Sequence, residues 1–163
     1  MSDTVSITCT VNGEPVAAEV PTSATLADFI REARGLTGTK IACGHAVCGA
    51  CTVHLDSIPV SSCSAYAFEA DGAEIRTVEG LEDADGELDP VQAAFADLSA
   101  FQCGYCTSGM IMLTRALLDR DPNPSGETIR KWLSSNICRC TGYELIAEAV
   151  AKAAEAANAE TKR

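Results

Sequence analysis

Along Val5, Ile7, Cys9 and Val11 apolar side chains alternate with hydroxyl residues. That period of two predicts a half-buried strand over residues 4–11. Asn12-Gly13 follows, the dipeptide best suited to a two-residue hairpin turn, and residues 15–20 read as the return strand. The period then lengthens. Leu26, Phe29 and Ile30 form an apolar stripe at helical spacing, Thr25 and Asp28 stand at capping-box positions, and Gly35 supplies a stop. Residues 52–55, 58–60 and 74–78 read as further short strands. A hairpin, a helix and more short strands predict an α+β layer with the helix packed on a sheet.

The pattern changes near residue 80. Residues 79–89 are acidic and contain glycine, which suits a linker. Beyond them the spacing is helical. Asp89-Pro90 offers an N-cap and a proline at the first helical position, followed by Val91, Ala94, Phe95 and Leu98. Met110, Leu113, Leu117 and Leu118 set a second helix on about residues 108–120, stopped by Asp121-Pro122-Asn123-Pro124. Ser125 caps a third, with Ile129, Trp132 and Leu133. Thr141 and Glu144 form a capping box for a fourth, with Leu145, Ile146, Ala149, Val150 and Ala153. Residues 156–163 are expected to fray. The expected organisation is a small α+β domain over residues 1–79 and a four-helix domain over residues 80–163.

Charge narrows the function. The chain has 163 residues, 12 Lys and Arg against 23 Asp and Glu, and a net charge of −11. A nucleic-acid binder would need a basic face, and anionic lipid would repel this surface. No apolar run approaches the roughly 20 residues that span a bilayer, so membrane insertion is not expected. The N-terminus, Met1-Ser2-Asp3-Thr4, lacks the pattern of a secretory signal, so a cytoplasmic location is expected.

Nine cysteines in such a chain point to metal rather than to disulfides. Cys43-x4-Cys48-x2-Cys51 is the spacing of a plant-type [2Fe–2S] loop, with Cys63 close behind as fourth ligand. The loop is rich in glycine and alanine, which lets backbone N–H groups approach an anionic cluster. Four thiolates would also suit structural zinc, though x4-then-x2 within one loop is unusual for it. Cys103-x2-Cys106 and Cys138-x-Cys140 form a second set, which two helices and their turns can bring to one end of a bundle. A thioredoxin-like pair would need a preceding strand. A single tetrahedral ion is awkward for C-x-C, which spans two irons more easily. Cys9 stands alone on a strand face and reads as a small core residue.

Three stretches carry a family resemblance: Gly38-Thr39-Lys40 through Cys63, with Cys48-Gly49-Ala50-Cys51-Thr52-Val53; Gln102-Cys103-Gly104-Tyr105-Cys106-Thr107-x-Gly109-Met110; and Asn136-Ile137-Cys138-Arg139-Cys140-Thr141-Gly142-Tyr143. Together they resemble the iron–sulfur subunit of the molybdenum hydroxylases, the xanthine dehydrogenase, aldehyde oxidoreductase and aerobic carbon monoxide dehydrogenase type. The resemblance covers nearly the whole chain. It implies an N-terminal β-grasp (plant-type ferredoxin-like) domain followed by a C-terminal four-helix domain, each with one [2Fe–2S] cluster. It implies Cys43, Cys48, Cys51 and Cys63 as ligands of the cluster nearer FAD. Cys103, Cys106, Cys138 and Cys140 would hold the one nearer the pterin, with Gln102 and Cys140 in contact with the pterin itself. It further implies partners: a large molybdopterin subunit, with the cofactor in its cytosine dinucleotide form, and a medium FAD subunit, assembled as a dimer of heterotrimers. Substrate, whether carbon monoxide, an aldehyde, a purine or an N-heterocycle, is then hydroxylated on another chain. The readings set against it are a stand-alone two-cluster ferredoxin and a zinc-stabilised interaction module.

This sequence departs from the family at Ala42 and Ala46, where glycine is usual, at Asp56-Ser57, where Asp-Gly is common, and at Ser108, where proline is common. Alanine costs stability wherever the backbone needs positive φ. Ser108 is expected to cap the second helix of the bundle. His45 is expected to be solvated, and His54 to lie on the polar face of its strand.

Overall fold

The computed structural model describes residues 3–83 and 85–161. Five strands, β1 (Thr4–Val11), β2 (Glu14–Pro21), β3 (Thr52–Leu55), β4 (Ile58–Ser61) and β5 (Glu74–Arg76), form one sheet in the order β2-β1-β5-β3-β4. β1 runs parallel to β5 and antiparallel to β2, and β3 pairs antiparallel with β4 and β5. The hairpin turns where the dipeptide predicts, with Asn12 at φ 51° and Gly13 at φ 82°. Ile7, Cys9 and Val11 are buried against Val16 and Val20 of the return strand. The alternation of the first strand is therefore the inside and outside of the sheet.

One helix covers that face. α1 (Leu26–Asp28) starts at a complete capping box: Asp28 N–H donates to Thr25 Oγ1 at 3.1 Å, and Thr25 N–H to Asp28 Oδ2 at 3.1 Å. It continues as a π-helical turn, Phe29–Ala33, closed by Arg34 N–H on Phe29 O at 3.2 Å and stopped at Gly35, φ +68°. The wider turn lets Phe29 and Ile30 both stay buried on the sheet.

The rest is a bundle of α2 (Pro90–Asp97), α3 (Thr107–Arg120), α4 (Gly126–Leu133) and α5 (Glu144–Thr161) around Phe95, Met110, Leu117, Ile146 and Val150. Asp89 caps α2 with Pro90 at its first position, and Ser125 caps α4. Three expectations for the bundle are corrected. Ser108 does not cap α3; the helix starts one residue earlier, and the Ser108 hydroxyl is buried with no partner among the described residues. Thr141 does not cap α5, which begins after Tyr143, a residue at φ 69°; its hydroxyl lies 3.1 Å from Cys138 Sγ and accepts from Tyr143 N–H. The C-terminal helix also holds to Thr161 rather than fraying from residue 156. There Asn158 Nδ2 donates to Pro122 O and Asn123 Oδ1, tying its last turns to the loop before α4. Lys162 and Arg163, part of the expected frayed end, lie outside the described residues.

The acidic stretch expected as a linker is tied down at its start: Glu79 Oε1 accepts from Gly38 N–H at 2.7 Å and Glu79 Oε2 from the Thr77 hydroxyl at 2.6 Å. The two parts also touch directly through β3 and α3. His54, expected on a polar face, is 2 % exposed, and its Nε2 lies 2.8 Å from Met112 O. The polar face of β3 is covered by the bundle, and the imidazole satisfies a helix carbonyl there.

Candidate metal centres

The first cysteine loop is a run of left-handed backbone. Gly44, Ala46 and Gly49 have φ of 67°, 56° and 69°, whereas Ala42 does not take positive φ. Such turns point successive N–H groups inward, where they favour negative charge. Their effect falls on Cys43, whose thiol is drawn down to about 6, chiefly by the His45 N–H, 3.4 Å from its sulfur, and then by those of Cys48 and Val47. Cys43 also meets Cys48 side chain to side chain. His45 itself is exposed, as expected.

The other two cysteines of the group are brought together by the β3–β4 hairpin. Thr52 pairs with Ser61, so Cys51, just before β3, lies opposite Ser62, and Cys63 one residue further meets the Cys51 side chain. Both are buried. Ser62 donates to Cys51 O from its N–H at 3.3 Å and its hydroxyl at 2.7 Å, locking the two ends. Burial pushes the Cys51 thiol up to about 11.

The second group meets where α3 and α5 begin. Gly104, φ 80°, turns the chain between Cys103 and Cys106. Cys103 and Cys140 sulfurs are 3.6 Å apart, and Cys106 contacts Cys138. Burial pushes Cys106 up to about 12. Burial also raises Cys138, but the Thr141 hydroxyl and the N–H groups of Cys140 and Thr141 outweigh it and leave that thiol below its ordinary value. Cys140 is raised by its hydrogen bond with Cys103.

All nine thiols are free. Among the described residues no three His, Cys, Asp or Glu side chains converge on a point that would hold a single metal ion. Instead each group is two pairs, Cys43 with Cys48 and Cys51 with Cys63, then Cys103 with Cys140 and Cys106 with Cys138. Two such pairs of thiolates would suit the two irons of a [2Fe–2S] cluster. Cys9 packs in the sheet core opposite Val16.

Between the groups lie residues to which no role was assigned from the sequence. Ile137 N–H donates to Cys48 O at 2.9 Å, Asn136 Nδ2 to Gly49 O at 3.1 Å, and Tyr105 OH to Ile41 O at 2.8 Å. The Tyr143 hydroxyl accepts from Cys138 N–H at 2.8 Å and donates to Asn136 O at 2.9 Å. Asn136 and Tyr143 flank the C-x-C pair; Tyr143 ties that segment to itself, whereas Asn136 reaches the first cysteine loop, which nothing local tells. Gln102 is exposed directly before Cys103, with Phe101 and Tyr105 exposed beside it. No helix among the described residues is long and apolar enough to cross a membrane.

Comparison with known proteins gives a consistent picture. A family model described as a 2Fe-2S iron-sulfur cluster binding domain matches residues 9–81, and one described as a [2Fe-2S] binding domain matches residues 77–151. The chain is 48% identical over 149 residues to the nicotine 6-hydroxylase small subunit of Paenarthrobacter nicotinovorans, covering 91% of this chain and 89% of that one. It is 43% identical to the xanthine dehydrogenase iron-sulfur-binding subunit of Escherichia coli O157:H7, covering 91% and 94%. Its fold superposes on a chain of quinoline 2-oxidoreductase from Pseudomonas putida 86 with a TM-score of 0.91 and 44% identity, covering 97% and 98%.

Proposed function

The chain belongs to the small iron–sulfur subunits of the molybdenum hydroxylases, and on that premise we propose how its residues divide the work of electron transfer. As such a subunit it carries two [2Fe–2S] clusters in a multi-subunit dehydrogenase whose other chains carry molybdopterin and FAD. Held at cysteine thiolates, such a cluster would supply one-electron transfer.

In our reading Cys43 and Cys48 hold one iron of the first cluster and Cys51 and Cys63 the other. Cys103 with Cys140, and Cys106 with Cys138, do the same for the second. The division runs at about residue 79, one cluster to each part. The pairing of the thiols carries this reading. The residues around them fit it: inward N–H groups on Cys43 and the Thr141 hydroxyl on Cys138 neutralise anionic sulfur. The Cys48 carbonyl and the Ile137 N–H join the two ligand segments through one backbone hydrogen bond. Gln102, exposed beside Cys103, can donate and accept toward a pterin edge, and Cys140, also exposed, lies on the same surface. The bundle, with Gln102 and Cys140, would then face the pterin, and the sheet part would face FAD.

The partners in this reading are a large molybdopterin subunit, with the cytosine dinucleotide form of the cofactor, and a medium FAD subunit, as a dimer of heterotrimers in the cytoplasm. N-heterocycles are the favoured substrate class, because nicotine and quinoline enzymes are among the similar proteins. Replacing Cys48 or Cys106 by serine tests the ligand sets. Each variant should lose one of two reduced-cluster electron paramagnetic resonance signals and keep the other; loss of the same signal from both would refute the division.

A further inference from the structure

We infer that Asn136 is the positioning residue that fixes the separation of the two cysteine sites, and thereby the coupling between the clusters they hold; this rests on the electron-relay reading above. Asn136 is 4 % exposed and belongs to neither ligand set. It sits two residues before Cys138, yet both groups that its carboxamide meets belong to the first site. Nδ2 donates to Gly49 O at 3.1 Å and faces Thr52 Oγ1 at 3.5 Å. Gly49 lies between Cys48 and Cys51, and Thr52 directly follows Cys51.

The contact is enforced from several sides. Gly49 has φ +69°, and a Cβ built on it would stand 1.6 Å from Asn136 Oδ1, so the amide fills space that any other residue at 49 would claim. Gly109, in the first turn of α3, also packs so closely that its Cβ would stand 2.1 Å from Gly49 O. The Gly49 peptide is thus clamped between the segment before Cys138 and the helix after Cys106. The Thr52 hydroxyl donates to the same carbonyl at 2.7 Å, and the next bond along is Ile137 N–H on Cys48 O at 2.9 Å.

A neutral amide is the group that this place needs. A carboxylate of the same shape would set a buried charge against the Gly49 carbonyl with no donor to offer, and an apolar side chain would leave the loops joined by fewer bonds. Transfer between the sites moves one electron, the donor site being oxidised as the acceptor site is reduced. Asn136 exchanges neither electron nor proton and acts only through distance.

The test is Asn136→Ala in the assembled complex with both clusters loaded. When both are reduced, their spins interact and split each other's paramagnetic resonance lines, an effect that falls with the cube of the separation. The expected result is a narrowed or lost splitting, and a severalfold slower equilibration between clusters after rapid reduction. The signal and midpoint potential of each cluster alone should be unchanged. Asn136→Asp should do the same at neutral pH. Unchanged splitting with only a lowered melting temperature would overturn the inference, leaving Asn136 a structural residue. Should Asn136→Ala fail to load, Thr52→Val, outside both ligand sets, should show a smaller narrowing; unchanged splitting there overturns the inference too. A wild-type complex without two cluster signals would instead sink the electron-relay reading itself.

Discussion

His54 Nε2 lies 2.8 Å from the carbonyl oxygen of Met112, joining β3 to α3 in a place closed to water. A carbonyl only accepts, so the ring carries its proton on Nε2 and donates. Burial holds the imidazole below its ordinary value, outweighing the opposite pull of the Met112 carbonyl and Asp119, with Arg76 and Arg115 adding to the depression.

A pH dependence follows. An unfolded histidine titrates near 6.5. Because the folded value is lower, the unfolded chain binds the extra proton first as pH falls. The His54 contribution is therefore complete above about pH 6.5 and lost as pH drops from there toward the folded value. Denaturant unfolding at pH 7.5 and 5.5 should show a loss in the wild type that is smaller in His54→Gln. Equal losses in the two proteins would show that His54 is not held neutral.

Ala46 and Ala42 should respond oppositely to glycine. Ala46 sits at φ 56°, where an L side chain is strained, and Ala42 does not take positive φ. Ala46→Gly should raise stability by about 0.5–1 kcal/mol, and Ala42→Gly should lower it by about the same amount through chain entropy. Melting of the two loaded variants beside the wild type decides the matter.

Cys9→Ala should keep both clusters. The thiol is buried in the sheet and forms no part of either group. A loss of about 1 kcal/mol is expected, as for a small core truncation. Visible and paramagnetic resonance spectra of the variant should match the wild type.

These outcomes reflect what a sequence can carry. The β1–β2 hairpin was legible because alternation and the Asn12-Gly13 turn are local, and so were the caps at Thr25, Asp89 and Ser125. The two groups of cysteines were legible from spacing. Asn136, Gly109 and His54 were not, because their partners lie in segments far along the chain and only packing of the bundle on β3 brings them into reach. Thr141 misled for a related reason: it has the residue type of a cap, but the Cys138 sulfur competes for its hydroxyl.

Gln102→Ala tests the direction of electron entry. In the assembled complex, reduction of the clusters by substrate should slow, while their reduction by dithionite stays normal. Gln102 is exposed, so a general loss of stability is not expected. Substrate reduction at the wild-type rate would remove Gln102 from the pterin contact.

Metal analysis of the purified complex tests the central claim most directly. Two [2Fe–2S] sites require four irons and four acid-labile sulfides per copy of this chain, with no zinc, and lead to a red-brown protein. Stoichiometric zinc without labile sulfide, in a colourless protein, would contradict the account.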